Sequence, residues 1–95
     1  MRIDYTERAL SDLAAIHDYL AREWPGVGEK FEARLAEIET RILTFPRGTA
    51  AVEDRPGVFA VPFINFPYRV FYTIDNDTAV VVLHIRNTSR AEWAD

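Results

Sequence analysis

PYRVFYTIDNDTAVVVLHIRNTSRAEW, residues 67–93, decides the fold. Two β-rich runs, Tyr68–Ile74 and Ala79–Arg86, flank an Asp75–Asn76–Asp77–Thr78 turn, and their apolar residues alternate with the period of half-buried strands. The stretch therefore predicts a β-hairpin. Closing it with Ile74 opposite Ala79 pairs Tyr72 with Val81, Val70 with Leu83 and Tyr68 with Ile85, one continuous apolar set on one face. The other face then carries Phe71, Thr73, Val80 and Val82, with Arg69 opposite His84 at about 5 Å between Cβ atoms and Arg86 beyond. Two arginines and a histidine are expected together at one end of the hairpin.

Outward from the hairpin, the preceding run Val58–Phe66 is apolar and β-prone, but Pro62 lacks the amide that a ladder needs, so an edge or bulged strand is expected. Phe45–Pro46 and Gly48 stop a helix, and a loop follows to about Pro56. Upstream, Val27, Phe31, Leu35, Ile38, Ile42 and Phe45 form a stripe at spacings of three and four, and Ala9, Leu13, Ile16 and Leu20 form another. Thr6 is placed to cap the first helix, which ends near Trp24 before Pro25 and Gly26. Two helices joined by so short a turn lie antiparallel. Ile3 and Tyr5, alternating with Arg2 and Asp4, predict a short strand added to the sheet. The fold class is α+β: an N-terminal strand and a helical hairpin packed on a small antiparallel sheet, in the order β-α-α-β-β-β.

Composition narrows the function. The 95 residues make one domain, with 48% hydrophobic and 27% charged residues, as in folded soluble proteins. Eleven basic against fifteen acidic residues give a net charge of −4, with one lysine, Lys30, which argues against a broadly cationic nucleic-acid coat. The absence of cysteine excludes disulfides and thiolate metal sites. No apolar run reaches the roughly 20 residues that span a bilayer, and MRIDYTERAL lacks the apolar core of a signal peptide, so a cytoplasmic location is the default expectation. His17 beside Asp18 has no second ligand at metal-binding spacing. There is no Gly-rich phosphate loop and no nucleophile–base motif, and no cofactor is expected.

The strand YRVFY with its acidic turn, the valine-rich strand and the tail HIRNTSRAEW resemble the RelE/ParE superfamily of type II toxin–antitoxin toxins. ALSDLAAIHDYL, the Trp-Pro break, FEARLAEIETRI and LTFPRG are similar to that family's paired helices, so the resemblance runs through essentially the whole chain. It implies a small toxin neutralised by a cognate antitoxin, with growth inhibition and plasmid stabilisation as consequences. ParE-like relatives poison DNA gyrase; RelE-like relatives cleave messenger RNA on the ribosome. Arg69 matches the recurrent arginine of the YRxxY strand, Arg86 and Arg90 fall where the family carries basic residues, and His84 lies near them. These four are the candidate functional patch. Asn87 replaces the second histidine of HIRH, and Trp93 stands where some ribonucleases place a tyrosine. Both departures, with the single lysine, favour the gyrase-directed reading over the ribosome-dependent endoribonuclease; a non-toxic binding module with this fold is the third alternative.

Overall fold

The computed structural model describes residues 1–88. The element order is β1 (Arg2–Tyr5), α1 (Glu7–Glu23), α2 (Gly28–Thr44), β2 (Ala50–Ala51), β3 (Val58–Pro62), β4 (Tyr68–Asp75) and β5 (Ala79–Asn87). The strands form one sheet in the order β1-β5-β4-β3-β2, with both helices on one face. The architecture is α+β, as the sequence predicts. Two details differ from the simplest expectation. β1 pairs with β5 in parallel, so the sheet is mixed, and the loop after α2 contributes the two-residue β2 against Phe59 and Ala60 of β3.

Thr6 caps α1, its Oγ1 accepting from the Ala9 amide at 3.0 Å. α1 ends at Trp24, whose amide donates to the Leu20 carbonyl at 2.8 Å, and Gly26 at φ +90° supplies the left-handed residue that turns the chain into α2. Phe45, no longer helical at φ −134° and ψ 72° ahead of Pro46, ends α2. The stripes read from the sequence face the sheet: Ala9, Ile16 and Leu20 from α1 and Phe31, Leu35, Ile38 and Ile42 from α2 are buried. They meet Val61, Phe63, Tyr68, Val70, Tyr72, Val80, Val82 and Ile85 in one core. Phe31 is its centre, stacked on Phe63 at 4.8 Å and edge-on to Phe66 and Tyr68.

The β4–β5 register departs from the expected one, and the reason is local. Asn76 and Asp77 both adopt left-handed φ, +48° and +59°, and Thr78 N–H closes on the Asp75 carbonyl at 2.9 Å. Positive φ at both central residues marks the tight primed turn. Thr78 remains in the loop as a third residue, so Asp75 faces Ala79, Ile74 faces Val80 and Tyr72 faces Val82, one residue away from the expected pairing. Val80 and Val82 thus point into the helix-covered core, whereas Ala79 and Val81 take the opposite face. Opposite the Phe71–Tyr72 step of β4, a bulge on β5 then leaves Leu83 without an opposite residue, and Phe71 faces His84, Val70 faces Ile85 and Arg69 faces Arg86.

Helix α1 secures that irregularity. Thr6 N–H donates to the Val82 carbonyl at 3.1 Å, Thr6 Oγ1 donates to the Leu83 carbonyl at 2.8 Å, and Asp12 Oδ2 accepts from the Ile85 amide at 2.9 Å. β1 stops opposite Val82, so Ile85 has no strand on that side, and a helix carboxylate serves in its place. Tyrosines tie other elements down. Tyr5 donates to Glu39 of α2, and Tyr72 donates to the Pro46 carbonyl at 2.6 Å while sharing a 2.5 Å hydrogen bond with Thr49.

Asp12→Ala leaves the Ile85 amide without its acceptor and is expected to destabilise the chain by about 1–3 kcal/mol in urea titrations. Stability should also fall in alkali. Burial raises the Tyr5 pKa above its ordinary value, with the Glu39 hydrogen bond and the charges of Glu39 and Glu32 adding to it; burial likewise raises Tyr68 and Tyr72. Unfolded tyrosine ionises near about 10, so this stabilisation is complete below that pH and is lost as pH rises above it. Tyr5→Phe should flatten the loss, measured as Tm across that range.

Candidate functional site

The sheet face away from the helices carries the candidate residues. Alternation along β4 puts Arg69, Phe71 and Thr73 there, and the register adds His84 and Arg86 of β5 and Ala60 and Pro62 of β3. The bulge and the tight turn each shift the pairing by one residue, and the two shifts together restore the parity of the far half of the hairpin. Arg69, His84 and Arg86 therefore do share a face. The expected Arg69–His84 cross-strand pair is not formed, however, because Arg69 stands opposite Arg86 and His84 stands opposite Phe71.

This placement separates two kinds of residue. Phe71 and His84 are each 2% exposed, and their rings stack at 4.9 Å with an interplanar angle of 10°. The Arg69 guanidinium carbon lies 5.5 Å from the Phe71 ring centre, over its face. Arg69 and Arg86 are half-buried. Guanidinium, phenyl and imidazole thus form a layered group, with arginine at the accessible side. Arg90 and Trp93 lie outside the described residues.

The loop between β2 and β3 walls this face. Val52 N–H donates to the Val58 carbonyl at 2.9 Å, Arg55 N–H to the Val52 carbonyl at 3.2 Å and Val58 N–H to the Arg55 carbonyl at 3.0 Å. Gly57, at φ +80°, is needed for the turn, and Thr73 Oγ1 donates to its carbonyl at 2.9 Å. A cleft of about 490 Å³ results, lined by Ala51–Arg55, Arg69 and Phe71. It mixes the carboxylates of Glu53 and Asp54 with the guanidinium groups of Arg55 and Arg69, an environment for charged groups rather than apolar ones. Sequence reasoning missed Phe71 and Arg55 as members of this site. Alternation in YRVFY already put Phe71 beside Arg69, but nothing local indicated that the loop bends over the sheet.

Across the molecule, His17 Nε2 lies 2.5 Å from Glu32 and its ring meets Phe31 edge-on, so it links α1 to α2. Among the described residues, no group of three or more His, Cys, Asp or Glu side chains is arranged to hold a metal ion, and no helix is long and apolar enough to cross a membrane. A second recess lies beside β3, where β2 reaches only Phe59 and Ala60. Arg34, Glu37, Ile38 and Arg41 of α2 border it with Val61, Pro62 and Ile64, the last 62% exposed, and Arg34 is paired with Glu37 at 2.9 Å.

A helical hairpin laid on one face of a small mixed sheet is the architecture of the RelE/ParE toxins. Residues 3–92 match the family model described as ParE toxin of type II toxin-antitoxin system, parDE, and the chain belongs to that family. Solved structures share the fold. A chain of the chromosomal ParDE toxin–antitoxin system from P. aeruginosa is 20% identical with a TM-score of 0.78, over 92% of this chain and 95% of that one. The isolated E. coli RelE toxin is 22% identical with a TM-score of 0.60, over 95% and 86% respectively. The intact E. coli RelBE complex contains a chain 23% identical with a TM-score of 0.60, over 93% and 96%. No curated protein matches the chain at a significant level.

His84→Ala removes a buried ring from a stack and is expected to cost about 2–4 kcal/mol. Chemical denaturation reads that cost directly. His84→Phe, which keeps an aromatic surface against Phe71, should recover much of it.

Proposed function

We propose that this toxin is held inactive by a cognate antitoxin and, when released, inhibits DNA gyrase. The observation that carries the gyrase reading is the burial of His84. A general acid or base must come within hydrogen-bond reach of the proton it moves, and an imidazole 2% exposed beneath Phe71 is badly placed to reach a ribose 2′-hydroxyl. Asn87 supplies no titratable replacement. The family match over residues 3–92 and the single lysine support the same reading, because affinity for ribosomal RNA grows with the number of phosphates neutralised.

Arg69 and Arg86 are the functional pair in this reading. They stand directly opposite each other on neighbouring strands of the open face, which concentrates two guanidinium groups where a partner's carboxylates could meet them. With Arg90 from the tail they would engage carboxylates of the target, whereas His84 positions Phe71 under Arg69. The antitoxin would lie along the recess beside β3, where the exposed Ile64 and the open edge beyond β2 fit an extended segment with apolar residues, and Arg41 beside the Arg34–Glu37 pair offers it a cation. The protein would act in the cytoplasm, where both partners are found.

Induced expression is expected to arrest bacterial growth with DNA damage and filamentation, and co-expression of the antitoxin should restore growth. Arg69→Ala and Arg86→Ala should each abolish toxicity while the chain still folds, with a loss of about 1 kcal/mol in chemical denaturation because both side chains are half-buried. Arrested translation with cleaved transcripts would instead establish the endoribonuclease reading. Normal growth at verified levels of folded protein would leave only the binding module.

A further inference from the structure

We infer that the outer edge of β1 is a self-pairing surface through which two copies of this chain join their sheets across a twofold axis at Ile3. The inference is independent of the toxin's target and starts from an open strand. β1 is the last strand in the order β1-β5-β4-β3-β2, and among the described residues no strand lies on its outer side. Its inner side is used by alternate residues, since Arg2 N–H donates to the Thr78 carbonyl at 3.3 Å and Thr6 N–H donates to the Val82 carbonyl at 3.1 Å. By the alternation of backbone groups along a strand, the N–H and C=O of Ile3 and Tyr5 point away from β5 to the open edge. Such a row is a template for another strand.

Charge selects both the occupant and the register. In antiparallel pairing, residues whose backbone groups point toward each other exchange two hydrogen bonds. A twofold axis at Ile3 makes Ile3 such a pair with its own copy. It also places Arg2 of each copy opposite Asp4 of the other, with side chains about 5 Å apart at Cβ. The alternatives are worse: an axis at Arg2 sets arginine against arginine and an axis at Asp4 sets aspartate against aspartate, both of which are destabilising, while an axis at Tyr5 sets Ile3 against Glu7, which already belongs to α1, and leaves Asp4 without an opposite charge.

Within one chain Arg2 Nε and Asp4 Oδ2 already lie 3.0 Å apart on the exposed side of the sheet, with side chains 67% and 47% exposed. Pairing two copies turns this into a square of alternating charges in which each ion has an opposite neighbour along its strand and across the axis. On the helix-covered side, exposed Met1 comes opposite Tyr5 of the copy, adding apolar contact. The sheet's other end is a poor competitor, because β2 has two residues and Pro62 interrupts the row of amides on β3.

Sedimentation velocity on the full chain tests this, over a series from about 1 μM to about 1 mM. The expected result is a reversible dimer. Arg2→Asp and Asp4→Arg each create like-charge pairs across the axis and should weaken it at least about tenfold. An equimolar mixture of the two variants should restore the dimer as a heterodimer, because every cross-axis pair is then of opposite sign. The double exchange Arg2→Asp/Asp4→Arg should restore it as well. Amide hydrogen exchange on the unsubstituted chain gives a second reading, in which Ile3 and Tyr5 gain protection as concentration rises. A monomer at every concentration overturns the inference, as does a dimer indifferent to both single substitutions, or a mixture that associates no better than its components.

Discussion

The fold depends on how α1 satisfies the backbone of β5 around Leu83. A bulge interrupts the ladder to β4, and β1 ends at the same level on the other side, so the strand would expose polar backbone on both flanks within three residues. One hydroxyl and one carboxylate answer this. Thr6 is at once the cap of α1 and the donor to the Leu83 carbonyl, and Asp12, less than two turns further on, accepts from Ile85. The start of the helix and the irregularity of the strand are therefore one structural unit, built from residues more than 70 positions apart. Each hydrogen bond is modest in net terms, but an unsatisfied group in that position is not, which gives the arrangement its leverage.

The consequence is a sheet with two different faces. On the helix side, Val80 and Val82 before the bulge and Ile85 after it all reach the core, because the extra residue corrects the phase of the strand midway. On the other side the same correction brings His84 under Phe71 and Arg86 beside Arg69. Without the bulge, a continuous ladder from Asp75–Ala79 would place Leu83 and Ile85 with Phe71 and Arg69, and His84 and Arg86 would turn into the helices. A guanidinium there would be buried among Val70, Tyr68 and Ile16 at large cost. The bulge thus sorts the arginines to the open face.

Much of this was legible from residue order. The helical stripes, the Thr6 cap, the Phe45–Pro46 stop and the alternation of β4 follow from local periodicity and terminus chemistry, which act within a few residues. The pairing across the hairpin was not. Asn76–Asp77 looked like half of a four-residue turn, and only the left-handed φ of both residues reveals the tighter one. The bulge has no local signature in AVVVLHIR, because its stabilising partners, Thr6 and Asp12, sit at the other end of the chain. Grouping Arg69, His84 and Arg86 nonetheless agrees with their placement, since two one-residue shifts of the same sign leave facing unchanged. The wall of the cleft escaped notice for a related reason: AVEDRPG has polar turn residues and no periodicity, so its position over Arg69 depends on the β2–β3 pairing.

The group on the open face also gives the histidine of the HIR strand a structural part in this ParE-type chain. An imidazole that lies flat on Phe71 offers its ring face to the phenyl and holds that ring at a fixed height, and Phe71 in turn supports the Arg69 guanidinium above it. Arginine has a long side chain with many rotamers, so ordering it at a recognition surface costs conformational entropy that a flat aromatic support reduces in advance. Stacking therefore ties the position of His84 to that of Arg69 through Phe71, and at 2% exposure the imidazole is shielded from solvent.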